Sequence, residues 1–258
     1  MKEMLETLAQ QYENSFFITQ DPSQFLRRYS NEKEQELAGF IAAMLAFGQR
    51  TQFIPKINYI FTLADTYGGL YKWIKEKVFE QTFVCQNMQS KFYRFYSYDD
   101  MHTLFKRLSV IVNESDSLGN YIKKMWELSY SKYCDCSVSS KPLLCDVVGE
   151  VFFDCKIVPK GKNSASKRVQ MFLRWMVRQN STVDLGLWKW YSSADLIMPL
   201  DVHVMKQAVK LGLLPENSKP TKKTAIALTF QMKKIWPQDP VKADFALYGL
   251  GAIKPKDE

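Results

Sequence analysis

A single carboxylate stands out in the stretch Pro199-Leu200-Asp201-Val202-His203-Val204. It follows the apolar run Leu196-Ile197-Met198-Pro199-Leu200. It also opens a helical pattern in which Val204, Ala208 and Leu211 recur at i, i+4 and i+7 before Gly212. Aspartate at a helix start commonly accepts backbone N–H groups as a cap. A carboxylate so placed stays ionised, so capping and electrostatic catalysis are compatible roles for Asp201. His203 reads either as a packed or backbone-bonded histidine or as a group near the chemistry. A second anomaly lies upstream. Between Cys155 and Val183 there is no Asp or Glu, against seven cations: Lys156, Lys160, Lys162, Lys167, Arg168, Arg174 and Arg178. Lys167 falls in the first turn of a predicted helix. The helix dipole disfavours a cation there by about 0.3–1 kcal/mol when exposed. Lysine is an odd choice at that place unless an anion sits close by; the alternative is a solvated surface lysine.

The elements that must position these residues are helical. Val158-Pro159-Lys160-Gly161-Lys162-Asn163-Ser164-Ala165-Ser166 has the composition of a turn. The helix after it buries Val169, Phe172, Leu173, Met176 and Val177, with Arg168, Arg174 and Arg178 on its other sides. A polar connection carrying Trp188 and Trp190 leads to the Asp201 stretch. Earlier, Asn31-Glu32-Lys33-Glu34 has the form of a capping box, with Glu34 reaching back to Asn31. Leu37, Phe40, Ile41, Met44 and Leu45 follow as an apolar stripe that Gly48 stops. Gly48-Gln49-Arg50-Thr51-Gln52 then reads as an interhelical turn, or as a loop whose Gln49 and Arg50 point into a cleft or toward a duplex. Residues 66–150 read as further helices and loops, with a polar break at Glu114-Ser115-Asp116-Ser117. Lys91-Phe92-Tyr93-Arg94-Phe95-Tyr96 is a basic, aromatic run that either stacks on bases or packs on a neighbouring helix. Lys219 to Trp236 predicts another helix. Asp239-Pro240 predicts a capped last helix carrying Val241, Phe245 and Tyr248, with a loose tail from Lys254. No alternation is long enough for a sheet, so the expected fold class is all-α.

The bulk numbers bound the rest. The chain has 258 residues, 46% of them hydrophobic, enough for one large domain or two lobes. Its net charge of +8 is uneven: residues 1–150 hold 17 Lys+Arg against 18 Asp+Glu, residues 151–258 hold 18 against 9. A basic C-terminal part suits a polyanionic partner, nucleic acid before an anionic membrane surface. The start, Met1-Lys2-Glu3-Met4-Leu5-Glu6, has no long apolar core, and no run approaches the roughly 20 residues of a spanning helix. No membrane role is expected, and the expected location is cytoplasmic. Five cysteines, poorly spaced, do not suggest disulfides. Cys134-Asp135-Cys136 hints at metal, but with two histidines and no second pair, no metal site is expected.

A turn, a helix beginning with Lys167, and a later Leu-Asp-Val-His-Val helix start together resemble the helix-hairpin-helix DNA glycosylase superfamily. That group includes endonuclease III and the oxoguanine glycosylases, and the chain looks most like an uncharacterised bacterial branch of it. The match is best over residues 158–214 and weaker over 34–63 and 236–251. The resemblance implies a two-lobed helical fold with a cleft between lobes. It makes Lys167 the lyase nucleophile and Asp201 the essential carboxylate. It implies a hairpin, here Lys160, Gly161, Lys162, Asn163 and Ser164 with Arg168, whose backbone N–H groups hold a phosphate. Two glycines usually stand in that hairpin; Asn163 and Ala165 occupy their places here. Asp201 follows Lys167 by 34 residues, more than in most members, although an archaeal oxoguanine branch is similarly stretched. No four-cysteine cluster motif follows the last helix, so no cofactor is expected.

The chemistry implied is scission of a C1′–N bond. A carboxylate steadies the sugar cation, and an amine attacks C1′ to form a Schiff base. The expelled base would stack on aromatics such as Trp188 or Trp190, near His203. Two classes of function follow: a DNA repair glycosylase, with or without AP-lyase activity, acting as a monomer on duplex DNA with a damaged base; or a non-catalytic nucleic-acid-binding protein that keeps the fold.

Overall fold

The computed structural model describes residues 1–135 and 141–252. Cys136, and with it the Cys134-Asp135-Cys136 pattern, lies outside the described residues, as does the tail from Lys254. The chain is mainly helical, as expected. In order the helices are α1 (Lys2–Tyr12), α2 (Ser15–Gln20), α3 (Glu32–Leu45), α4 (Arg50–Asp65), α5 (Leu70–Lys75), α6 (Phe79–Thr82) and α7 (Tyr98–Ser115). There follow α8 (Leu118–Asp135), α9 (Leu144–Val151), α10 (Lys167–Val177), α11 (Val202–Lys210), α12 (Lys222–Lys233) and α13 (Ala243–Ala252). No helix among the described residues is long and apolar enough to cross a membrane. Contacts divide the chain into two compact units, Pro22–Lys160 and a second unit made of Met1–Asp21 with Gly161–Glu258.

In the Pro22–Lys160 unit, α3 is buried on every side from Glu36 to Leu45. Asn31 caps it, its side chain accepting from the Lys33 N–H at 2.9 Å. The expected capping box does not form. Glu34 Oε1 instead accepts the Tyr71 N–H of α5 at 3.3 Å, a stronger demand because that amide lies at a helix start with no other cap. A true capping box stands at α7, where Ser97 and Asp100 exchange bonds of 3.0 and 2.9 Å. The polar break at 114–117 is real: α7 ends, Asp116 turns left-handed with φ 63°, and α8 begins. The basic, aromatic run corrects the expectation of no strands. It forms a two-stranded hairpin, β1 (Lys91–Tyr93) with β2 (Tyr96–Ser97), too short to show alternation. Phe92, Tyr93 and Tyr96 are core, and Phe95 is exposed.

In the second unit, α1 and α11 both pack against α13. The α1–α13 approach needs Gly249, because a Cβ there would lie 2.3 Å from the Tyr12 ring. Helix α10 is buried from Val169 to Val177. Arg174 within that run and Arg178 just after it are also buried, 3% and 2% exposed, although the sequence placed them on the outer sides of the helix. They are buried because acids from elsewhere in the unit meet them. Arg174 Nε donates to Asp184 Oδ1 at 3.1 Å, and its Nη1 to Asp244. Arg178 bonds Asp184 Oδ2 at 3.0 Å, Asp239 at 2.7 Å and Glu13 Oε2 at 3.0 Å. Asp239 therefore does not cap the last helix as expected; its carboxylate is spent on Arg178. Both guanidinium groups also lie over the Phe245 ring, with Arg174 Cζ 4.4 Å and Arg178 Cζ 5.4 Å from its centre.

Removing one partner of a buried charge network strands the others. Arg178→Leu should cost about 3–5 kcal/mol of stability in urea unfolding. A loss below about 1 kcal/mol, the value of an exposed pair, would show that the network is not structural.

Candidate functional site

Two helix starts are brought together. Lys167 opens α10 and Asp201 caps α11, with Lys167 Nζ 3.0 Å from Asp201 Oδ2. The other oxygen, Asp201 Oδ1, accepts the Val204 N–H at 2.8 Å. The anion that would excuse a lysine in a first helical turn is thus Asp201 itself. The carboxylate is held from behind. Leu196 to Leu200 are buried, and the Met198 N–H donates to Thr229 Oγ1 of α12 at 3.0 Å. The two side chains are 38% and 30% exposed. An ion pair so open to water contributes at most about 1 kcal/mol to folding, so stability alone gives little reason for it. Burial pushes the Asp201 carboxyl up, but the Lys167 ammonium, the Val204 N–H and the charge of nearby His203 outweigh it and hold the group below the usual carboxylate range. Asp201 therefore stays ionised well into acid.

A third group belongs here that sequence reasoning missed. Asp244, at the start of α13, feels the charges of both Lys167 and Asp201 while bonded to Arg174. Burial pushes its carboxyl up, the Asp201 and Asp184 charges add to that, and Arg174 and Lys167 only partly offset it, leaving it at about 6. The signal was available: Asp244 is an acid flanked by the core residues Val241, Ala243 and Phe245.

The remaining candidates are scattered in role. Gly161, Lys162 and Asn163 are exposed. Gly161 has φ +110° and open space where a side chain would be, so another group can approach its backbone. Ser164 bridges to Thr221, and the Asn163 carbonyl accepts the Lys222 N–H at 3.1 Å, which ties this turn to the start of α12. Lys160 is committed elsewhere: its ammonium donates to the carbonyls of Cys155 at 2.6 Å and Phe152 at 3.3 Å. Lys156 pairs with Asp100. Arg168 is half-buried in the first turn of α10. The acid-free segment is therefore not a uniform basic face. Trp188 is core, its ring edge-on to Phe172 at 5.3 Å and stacked on half-buried Trp190 at 5.6 Å. His203 is exposed on α11. Gln49 and Arg50, at the start of α4, belong to the Pro22–Lys160 unit.

A family model matches residues 21–253, most of the chain. The chain belongs to the DUF2400 family, described as protein of unknown function. No curated protein and no solved structure matches it. Lys167, Asp201 and Asp244 all fall inside the DUF2400 match, while Glu13 precedes it.

A raised carboxyl binds its proton earlier in the folded chain than in the unfolded one, so folding loses stability as pH rises through the window between the two values. For Asp244 that window runs from about 4, the free value, to about 6. Asp244→Asn removes the titration. The melting temperature of this variant relative to the parent should rise between pH 4.5 and 7; a constant difference would mean Asp244 does not titrate there.

Proposed function

We propose that this chain is a DNA base-excision glycosylase with AP-lyase activity, acting as a cytoplasmic monomer on duplex DNA that carries a damaged base. The observation that carries the reading is the meeting of Lys167 Nζ and Asp201 Oδ2 at 3.0 Å, from the starts of two helices. Resemblance in the residues around each supports the same assignment. In the reaction, the C1′–N bond breaks and its electrons leave with the base, which takes a proton. Ionised Asp201 steadies the positive charge that develops on the sugar. The amine must be neutral when it attacks C1′, and Asp201 Oδ2 is within reach of the proton it gives up. Opening of the C1′–O4′ bond, with a proton to O4′, leaves a Schiff base. Loss of a C2′ proton then expels the 3′ phosphate, which is the lyase step.

A second reading, a non-catalytic nucleic-acid-binding protein, is favoured by one observation. Asp201 already has a sufficient structural use as the cap of α11. The two readings part on one substitution, because asparagine caps helices as well as aspartate does. Asp201→Asn should leave stability nearly unchanged and slow base release at least about a hundredfold; a cap-only Asp201 would tolerate it in every assay. Lys167→Gln should abolish borohydride trapping of a covalent adduct on an abasic duplex while retaining DNA binding. Trapping that survives would move the nucleophile to Lys162, since the Lys160 ammonium is held by two carbonyls.

Binding separates those two lysines as well. Lys162→Gln should make the log–log salt slope of DNA binding shallower by about 0.9, the share of one phosphate. Lys160→Gln should leave the slope alone and lower the melting temperature. Equal slopes for Lys162→Gln and the parent would remove Lys162 from the interface.

A further inference from the structure

Helix α10 carries a third polar residue on the face that bears the site. Lys167, Gln170 and Arg174 stand at i, i+3 and i+7, so Gln170 lies between the lysine of the open ion pair and the arginine of the buried one. Gln170 is only 3% exposed. Its side-chain amide makes no hydrogen bond within the described residues. The other polar side chains of this face are paired: Lys167 with Asp201, Arg174 with Asp184 and Asp244. Elsewhere in the buried set, Glu36 takes the Gly119 N–H and Thr229 the Met198 N–H. The indole N–H of Trp175 is also unpartnered but is sealed from solvent; the Gln170 amide is not. The Gln170 amide thus keeps access to solvent from a side chain otherwise packed in the core, where methionine would fill the same length with apolar surface. Its neighbours Val169, Met171, Phe172 and Leu173 are all apolar core, so glutamine is the exception in its own run.

We propose that Gln170 is a specificity-determining residue whose amide reads the edge of the base expelled at the Lys167–Asp201 site, so that substrates are bases keeping a hydrogen-bond donor beside an acceptor. This rests on the glycosylase reading. The bond to be cut lies at Lys167, and Gln170 is one helical turn away on the same face, where the base attached to that sugar would extend. A glutamine amide offers one acceptor beside donors and can pair with both groups of such an edge, whereas a guanidinium offers donors only. A base whose edge is bridged by an alkyl group has lost the donor and leaves the amide unmet.

The test uses the full chain and single-lesion duplexes: a panel of deaminated and oxidised bases that keep a donor beside an acceptor, one duplex with ethenoadenine, whose bridge removes the donor, and one with an abasic site. The parent should excise at least one panel base and spare ethenoadenine. Gln170→Met should lower that excision roughly 5- to 150-fold, the discrimination of one bidentate pair. It should leave borohydride trapping on the abasic duplex unchanged, because no base is there to read, and should melt at or above the parent temperature. Gln170→Glu, which keeps the shape but has no donor, should lose excision in the same way and serves if the methionine variant does not fold. Excision by both variants at the parent rate would overturn the proposal, as would parallel loss of abasic trapping, or a parent that prefers ethenoadenine or traps without excising any panel base. A parent that neither excises nor traps would remove the glycosylase reading itself, and this proposal with it.

Discussion

Two buried guanidinium groups, Arg174 in α10 and Arg178 just past its end, set the constraint on which the part of the structure after Gly161 depends. Arg174 and Arg178 cannot leave water unpaired, since a stranded buried charge costs several kcal/mol. Glu13 at the end of α1, the turn at Asp184, Asp239 ahead of the Pro240–Lys242 turn and Asp244 in the first turn of α13 must therefore converge on these two arginines. The turn is itself prepared for this: Ser181 Oγ accepts the N–H groups of Val183 and Asp184, which fixes the carboxylate that both arginines share. Lys167 lies seven residues before Arg174 on the same face. Anchoring the arginines thus fixes the rotation of α10 and with it the direction of the lysine amine.

The same network explains its own electrostatics. Four carboxylates, Glu13, Asp184, Asp239 and Asp244, surround two arginines, so the acids outnumber the guanidinium groups. The excess is felt unevenly. At Glu13 the bonds and charge of Arg178, with Ser181 and Lys242, outweigh burial and hold the carboxyl low, whereas at Asp239 and Asp244, which also face arginines, burial and like charges win and push the carboxyls up. Lys167 is a further cation within electrostatic reach of Asp244 and Asp201. An ammonium at that place answers an acidic surplus that the arginines leave over, which is a physical reason for a cation where the dipole of α10 opposes one.

Much of the fold could be read from local pattern. The stripe from Leu37 to Leu45, the cap at Asn31, the break at 114–117 and the helix starts at Lys167 and Asp201 each depend on residues within one or two turns. What could not be read depends on partners far along the chain. Glu34 looked like a capping-box acid and is claimed by Tyr71, 37 residues on. Asp239 looked like a cap and is claimed by Arg178, 61 residues before it. Arg174 and Arg178 looked like solvent-facing cations because no acid lies within a helical turn of either, yet Asp184, beyond the end of α10, meets both and Glu13 reaches Arg178 across 165 residues. The hairpin at β1 and β2 failed for a different reason: three residues and two are too few to show a period.

Places where a local rule is broken without local compensation concentrate where function or strain resides. By that measure α3 and α10 differ in kind. Along α3 the cap, the apolar stripe and the buried Glu36, which accepts the Gly119 N–H at 2.9 Å, all find answers inside the fold. Along one face of α10 the rules fail repeatedly: a cation opens the helix, a glutamine stands in the core with its amide left to solvent, and an arginine is met by an acid whose carboxyl is raised to about 6. The first and last of these answer each other through charge, Lys167 against the acidic surplus. The amide has no answer within the described residues, and the face it shares with Lys167 is where an answer from outside the chain would have to arrive.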